Sequence, residues 1–181
     1  MGFWKKKENL IISAAVLVFF IGLAFWPNIC ALRAAFQTPF APSSVTRISF
    51  SNEQGDSVTL EKFKGQPLIV NFWATWCPVC VKNMSSFNAF AKTFESQGGK
   101  VISISEDNDI GTVKAYLARK GYANLPAHLD HFGQLMAAYG VAGLPTTIFI
   151  DESGNEIERI TGGVDWKNPT LVNWVSKLFG M

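Results

Sequence analysis

The residues in this sequence that could do chemistry are two cysteines, Cys77 and Cys80, separated by two other residues. An apolar run at residues 68–73 precedes them, and helical periodicity begins at Pro78. A strand followed by a helix places Cys77 just before the first helical turn. There, unpaired backbone N–H groups and the positive end of the helix dipole favour a thiolate. The two thiols can therefore close a redox-active ring in which Cys77 is the nucleophile.

Cys80 lies one helical turn further along, so we expect its sulfur to be the more buried of the two. From that position it can attack a mixed disulfide on Cys77 and release the product, which makes Cys80 the resolving thiol. Pro78 is compatible with this geometry, because the first helical position has no N–H bond to lose and prefers the φ angle that proline adopts. The motif thus predicts thiol–disulfide exchange at the start of a helix.

A Cys-x-x-Cys pair can also be half of a structural zinc site. Zinc needs four ligands, and the remaining candidates are Cys30, which is remote in the sequence, and the two histidines His128 and His131. The strand-then-helix context favours redox chemistry over zinc. We therefore expect neither a metal nor a cofactor.

The composition limits the number of domains and the class of partner. The 181 residues are 48% hydrophobic and 17% charged, which leaves room for one domain and an accessory segment. The net charge of +2 comes from scattered basic residues, apart from the lysines at residues 5–7, so we expect no nucleic-acid partner. Three cysteines cannot all pair within one chain, which excludes a disulfide-stapled scaffold.

An uncharged apolar segment follows the lysines at residues 5–7. At about 1.5 Å per residue it approaches the ~30 Å hydrocarbon thickness of a bilayer. We predict a cytoplasmic N-terminus at residues 1–9 and a single transmembrane anchor at residues 10–29. The lysines should stay in the cytoplasm, so the rest of the chain should face the periplasm or the cell exterior of a bacterium.

A cleaved signal peptide is the alternative to an anchor, because it also has a basic region followed by an apolar one. The cleavage site is poor, since Leu32 and Arg33 stand where small residues are required. We therefore retain the anchor. With an anchor, Cys30 would lie at the outer membrane surface, either as an unpaired thiol or in an intermolecular disulfide. Residues 30–44 contain two prolines and no clear period, which predicts a linker.

The remaining residues, 45–181, are predicted to form one α/β domain. Two short strands at residues 46–50 and 57–60 flank a turn and make an opening hairpin. The run at residues 68–73 is apolar on both alternating faces, as in a central strand, and a second strand at residues 100–105 follows the cysteine helix. This strand–helix–strand order implies parallel pairing through a right-handed crossover.

The second half of the domain continues with shorter elements. A helix capped by residues 106–109 should come next, followed by a short edge strand and turn at residues 125–132 with both histidines at the surface. A short helix at residues 134–139 leads to a closing hairpin at residues 146–160. Asn168 should cap the last helix. The expected fold is a central mixed β-sheet flanked by helices.

The order of elements and two distant motifs resemble the thioredoxin superfamily. The motifs are NFWATWC at residues 71–77 and GLPTT at residues 143–147. More narrowly, residues 45–181 resemble the membrane-tethered TlpA/ResA-type thiol–disulfide oxidoreductases. The resemblance implies a thioredoxin-like fold for this part of the chain.

The resemblance also implies substrate contacts around the cysteines. In the family, the proline that corresponds to Pro145 is cis and lies beside the two cysteines, and a cis X-Pro bond is otherwise a minority state. The residue before it, here Leu144, offers its backbone to an extended substrate segment. Trp76 and Pro78 are the other substrate contacts that the resemblance implies.

The position of Asn71 bears on proton transfer to Cys80. Thioredoxin carries a buried aspartate there as a proton relay, and asparagine cannot titrate. TlpA/ResA-type members also tend to carry asparagine, and some use a glutamate just after the next strand, which corresponds to Glu106 or its neighbour. A partly buried carboxyl near Cys80 would have a raised pKa and could take its proton. The alternative is that Glu106 only caps a helix.

These observations predict a membrane-anchored enzyme that exchanges disulfides with protein substrates through a mixed disulfide on Cys77. The resemblance implies a reductant that is itself reduced by a membrane thiol–disulfide protein and serves steps such as cytochrome c maturation. The alternatives are a disulfide-forming oxidant and a Cu(I)-handling module, in which Cys77, Cys80 and Met84 would be soft ligands. A thiol peroxidase would need a separate peroxidatic cysteine in the domain.

Overall fold

The computed structural model describes residues 47–181. The predicted N-terminus (1–9), transmembrane anchor (10–29) and linker (30–44), together with Cys30, lie outside the described residues. Within the described part of the chain, no helix combines the length and the apolar character needed to cross a membrane.

One mixed β-sheet organises the described residues. Its seven strands are β1 (Ser49–Ser51), β2 (Ser57–Thr59), β3 (Leu68–Trp73), β4 (Lys100–Ser105), β5 (His128–Leu129), β6 (Thr146–Ile150) and β7 (Glu156–Thr161). Their order across the sheet is β2-β1-β5-β4-β3-β6-β7. Strands β3, β4 and β5 run parallel, whereas both hairpins are antiparallel, which confirms the predicted mixed sheet and the two predicted hairpins.

Helices connect and flank these strands. They are α1 (Pro78–Ser96), α2 (Ile110–Lys120), α3 (Gln134–Ala138) and α4 (Pro169–Phe179). Helix α1 joins β3 to β4 and α2 joins β4 to β5, so both parallel pairs are made through helical crossovers. Asn168 caps α4 by accepting the Thr170 N–H at 2.9 Å, as its place in the sequence predicted.

Strand β3 is the central strand, and all six of its residues are buried. Because side chains alternate along a strand, Ile69 and Trp73 pack into an apolar cluster with α1, while Val70 and Phe72 pack into a second cluster on the other face. The predicted apolar stripe of α1 lies in the first cluster and consists of Met84, Phe87, Ala91 and Phe94. Burial of each large apolar side chain contributes about 1.5–3 kcal/mol, so this packing holds α1 firmly on the sheet.

The segment at residues 125–132 differs from the prediction. Strand β5 is not an edge strand, because it pairs with β1 on one side and β4 on the other. His128 is therefore buried, with its ring edge-on to Phe50 and 5.4 Å between ring centroids, and the prediction that it lies at the surface was wrong. Burial lowers the pKa of His128 and favours the neutral ring. His131 is exposed, as predicted.

Candidate active site

The two cysteines of the motif form a disulfide at the start of α1, with 5.3 Å between their Cα atoms. Cys77 is the N-cap residue of the helix, and its Sγ accepts the backbone N–H of Cys80 at 3.2 Å. Pro78 occupies the first turn of the helix, where its missing N–H costs no hydrogen bond. The strand-then-helix geometry predicted for the motif is confirmed.

The two sulfur-bearing residues differ slightly in accessibility. Cys77 is 6% exposed and Cys80 is 2% exposed. Two large apolar side chains beside them, Trp76 and Val79, are instead 65% and 49% exposed. Exposed apolar side chains therefore form a rim next to the buried pair, a surface suited to an apolar stretch of another molecule.

The register of the sheet brings further groups to the same edge. Trp73 at the end of β3 pairs with Ser105 at the end of β4. Ser105 in turn pairs with Leu129 at the end of β5. Strand β6 runs in the opposite direction, and its first residue pairs with Phe72. Residues that follow β3, β4 and β5 and residues that precede β6 therefore share one edge of the sheet.

Pro145 precedes β6 at this edge, and the Leu144–Pro145 peptide bond is cis, as the resemblance implied. Pro145 and Cys80 line the same narrow pocket, together with Asn71 and Thr147. The Asn71 side chain donates a hydrogen bond to the Thr147 hydroxyl at 2.9 Å, which ties β3 to β6 beneath the pocket. The pocket has about 10 Å³ of room, which is the size of a single water site.

Two carboxyl groups meet where β4 and β5 end. Glu106 follows β4 and lies close to Asp130, which follows β5 and is 2% exposed. Each carboxyl has a buried oxygen with no hydrogen-bond partner among the described residues. Two carboxyl groups can bond to each other only when one of them carries a proton. Burial, and next the charge of Asp130, raise the pKa of Glu106 to about 8. This raised pKa favours the protonated form of Glu106 at neutral pH.

The structure also tests whether Glu106 caps α2. The N-cap residue of this helix is Asp109, whose carboxylate accepts the Thr112 N–H at 2.8 Å. The capping alternative for Glu106 was therefore wrong. The backbone N–H of Glu106 donates to the carbonyl oxygen of Trp73 at 2.8 Å. This bond extends the β3–β4 pairing to the residues that lead to Cys77.

Sequence reasoning missed two acidic residues of this edge. Asp130 lies close to Glu106, and Asp107 accepts hydrogen bonds from Thr75, which stands two residues before Cys77. Each aspartate closely follows a strand, and this position is the sequence signal that could have identified it as a residue of the site. Aspartate is common in turns for local reasons, so the signal does not distinguish these two from ordinary turn residues.

A mixed sheet with a Cys-x-x-Cys disulfide at a helix start, and a cis-proline on the same pocket, defines the thioredoxin-like class of proteins. The AhpC/TSA family model matches residues 41–157, and the chain belongs to the AhpC/TSA family.

The most similar curated relatives include proteins named thiol-disulfide oxidoreductase ResA. The protein from Halalkalibacterium halodurans is 28% identical over 162 residues, which cover 90% of this chain and 88% of that protein. The protein from Bacillus subtilis is 28% identical over 158 residues, which cover 87% of this chain and 88% of that protein. Among solved structures, StoA from Bacillus subtilis matches with a TM-score of 0.59 at 24% identity, over 71% of this chain and 95% of StoA. The StoA match supports the fold.

Replacing Glu106 by glutamine should flatten the pH dependence of folding stability between about pH 4.5 and pH 8. The folded protein holds a proton on Glu106 that the unfolded chain releases above its ordinary pKa of 4.5. The stability linked to this proton is fully present below pH 4.5 and is lost as the pH rises through about 8. Glutamine is neutral and can still donate to Asp130. Denaturant unfolding across this range measures the effect.

The matched control for this experiment is Asp109→Asn, which changes an exposed acid near the same sheet edge. This variant should keep the decline in stability between pH 4.5 and pH 8, because Asp109 is a helix cap without a raised pKa. Identical declines in the wild type and Glu106→Gln would contradict the assignment of the proton to Glu106.

Proposed function

We propose that this chain is a thiol–disulfide oxidoreductase that acts on protein substrates through a mixed disulfide on Cys77. The observation that carries the proposal is the Cys77–Cys80 disulfide at the start of α1. Its apolar rim fits a polypeptide better than a small polar thiol. Relatives named thiol-disulfide oxidoreductase ResA, similar over most of the chain, support the same activity.

The reaction in the reducing direction has two exchange steps. The Cys77 thiolate attacks a substrate disulfide, forms a mixed disulfide and expels the first substrate thiolate. The Cys80 thiolate then attacks Cys77, the mixed disulfide breaks, and the second substrate sulfur leaves as a thiolate. Two electrons pass to the substrate, and the chain retains the Cys77–Cys80 disulfide. The Cys80 N–H that meets the Cys77 sulfur is a donor already placed for the thiolate.

Substrate docking is proposed to use the groups around this disulfide. Trp76 and Pro78 would contact the substrate beside the reacting sulfur, and Leu144 would pair its backbone with an extended substrate segment next to Pro145. The exposure of Trp76 and the shared pocket of Pro145 and Cys80 support these roles.

Glu106 is proposed to exchange protons with Cys80. Cys80 must lose a proton before it attacks, and must regain one when the disulfide is reduced again. A carboxyl whose pKa is about 8 can do both near neutral pH. In the Glu106→Gln variant the exchange rate should fall and should lose its inflection near pH 8. An unchanged pH–rate profile would restrict Glu106 to the folding effect described above.

The Cys80→Ala variant should accumulate mixed disulfides with extracytoplasmic proteins, because Cys77 can still attack but the resolving thiol is missing. Electrophoresis before and after dithiothreitol treatment, followed by mass spectrometry of the released partners, measures the adducts. Cys77→Ala is the matched control and should trap far less. Equal trapping by the two variants, or no reducible adducts with either, would refute the assigned roles.

We propose that the protein works as a reductant, for example on the cysteines of apocytochrome c before haem attachment. A strong oxidant stabilises its thiolate and has a potential near −120 mV, whereas thioredoxin lies near about −270 mV. Pro78 and Val79 have no side-chain donor for the Cys77 thiolate, so the dipeptide adds nothing to the helix N-terminus.

Equilibration of the protein with glutathione redox buffers should therefore give a midpoint potential close to that of thioredoxin. The ratio of oxidised to reduced protein can be measured after acid quenching and thiol alkylation. A potential well above about −180 mV would favour the alternative, a disulfide-forming oxidant.

We propose that residues 10–29 anchor the domain in the bacterial cytoplasmic membrane, with a membrane thiol–disulfide protein as electron donor. The lysines at residues 5–7 support this orientation. Protease added to spheroplasts should digest residues 45–181, whereas intact cells should protect a periplasmic domain. Full protection in spheroplasts that are sealed but accessible on their outer surface would contradict the topology.

A further inference from the structure

The carboxylate of Asp107 connects the end of β4 to the chain segment before the cysteines. Its Oδ1 accepts the Thr75 hydroxyl at 2.6 Å. Its Oδ2 accepts the Thr75 N–H at 2.9 Å and the Ser105 hydroxyl at 2.5 Å. Asp107 is only 9% exposed, and its own N–H donates to the Ser105 oxygen at 3.0 Å. Both carboxylate oxygens are thus used in holding these two neighbouring segments together.

Thr75 belongs to the turn that presents the nucleophile. The Cys77 N–H donates to the carbonyl oxygen of Ala74 at 3.2 Å, which closes a turn with Thr75 and Trp76 at its centre. Ala74 is fully buried on one side of the turn, and α1 fixes Cys77 on the other. Hydrogen bonds to a charged group are stronger than those between neutral groups, so the two bonds from Thr75 select one geometry of the turn.

We propose that Asp107 is a positioning residue for the redox reaction, which holds the turn at Thr75 so that the Cys77 sulfur stays within reach of Cys80. This inference rests on the proposed thiol–disulfide activity. The attack of Cys80 on a Cys77 mixed disulfide is an intramolecular step, so its rate and equilibrium depend on how closely the two sulfurs are held. A fixed turn favours ring closure and release of the substrate thiolate.

The charge of Asp107 acts in the same direction as its hydrogen bonds. Asp107 is bonded to Thr75, two residues before Cys77, so its negative charge disfavours the thiolate and favours the disulfide over the reduced form. Loss of the carboxylate should accordingly make the cysteine pair easier to reduce. A purely structural role predicts something different, namely equal destabilisation of the oxidised and reduced proteins with no change in the equilibrium between them.

The test is equilibration of the full chain with glutathione buffers, with denaturant unfolding of both redox forms as a second readout. Asp107→Asn removes the charge and weakens the bonds, and should lower the equilibrium constant for disulfide formation by about tenfold, which corresponds to about 30 mV. Thr75→Val removes one bond and keeps the charge, so it should lower the constant by about threefold. Thr75→Ser keeps the hydroxyl and should restore the wild-type value.

The control is Asp109→Asn, which loses the same kind of bonds, to Thr112, outside the turn. It should leave the equilibrium constant unchanged. Wild-type constants in both Asp107→Asn and Thr75→Val, with reduced stability, would overturn the inference while leaving the proposed function intact. If Asp107→Asn fails to fold, the equilibrium constants of Thr75→Val and Thr75→Ser still test the inference. A wild-type protein that does not equilibrate with glutathione would overturn the proposed function and this inference together.

Discussion

The pairing of β3 with β4 on one side and with β6 on the other determines where every reactive group of this domain lies. Strand β3 is buried along its whole length, so its register cannot shift without exposing one of its two apolar faces. Cys77 follows the end of β3 and begins the helix, and Glu106 and Asp107 follow the end of β4. Pro145 directly precedes β6. The chemistry is therefore assembled at one edge by backbone hydrogen bonds.

Two opposing electrostatic effects meet at that edge. The N-terminus of α1 favours negative charge on the Cys77 sulfur, which already accepts the Cys80 N–H. The acidic residues that follow β4 and β5 disfavour further negative charge, and they do so in a partly buried setting where screening by water is weak. In the proposed reaction, the helix end and these carboxyls have opposite effects on how readily the cysteine pair accepts electrons.

Membership of the AhpC/TSA family and the similarity to proteins named ResA agree with this chemistry. Asn71 has an amide side chain that cannot titrate, and this amide bonds β3 to β6. The proposed proton transfer to Cys80 therefore uses another group. Glu106, which is half-buried close to Asp130, has a pKa raised to about 8 and lies at the same edge of the sheet.

Features that depend on neighbouring residues could be predicted from the sequence alone. The cysteine spacing, Pro78 and the apolar stripe of α1 are local signals, and strand periodicity was enough to predict the mixed sheet. Tertiary structure alone decided the features that join distant segments. The two-residue strand β5 is too short to reveal a pattern, so its interior place and the burial of His128 depend on pairing with β1. The Asp107–Thr75 bonds span 32 positions, and no local pattern records such a contact.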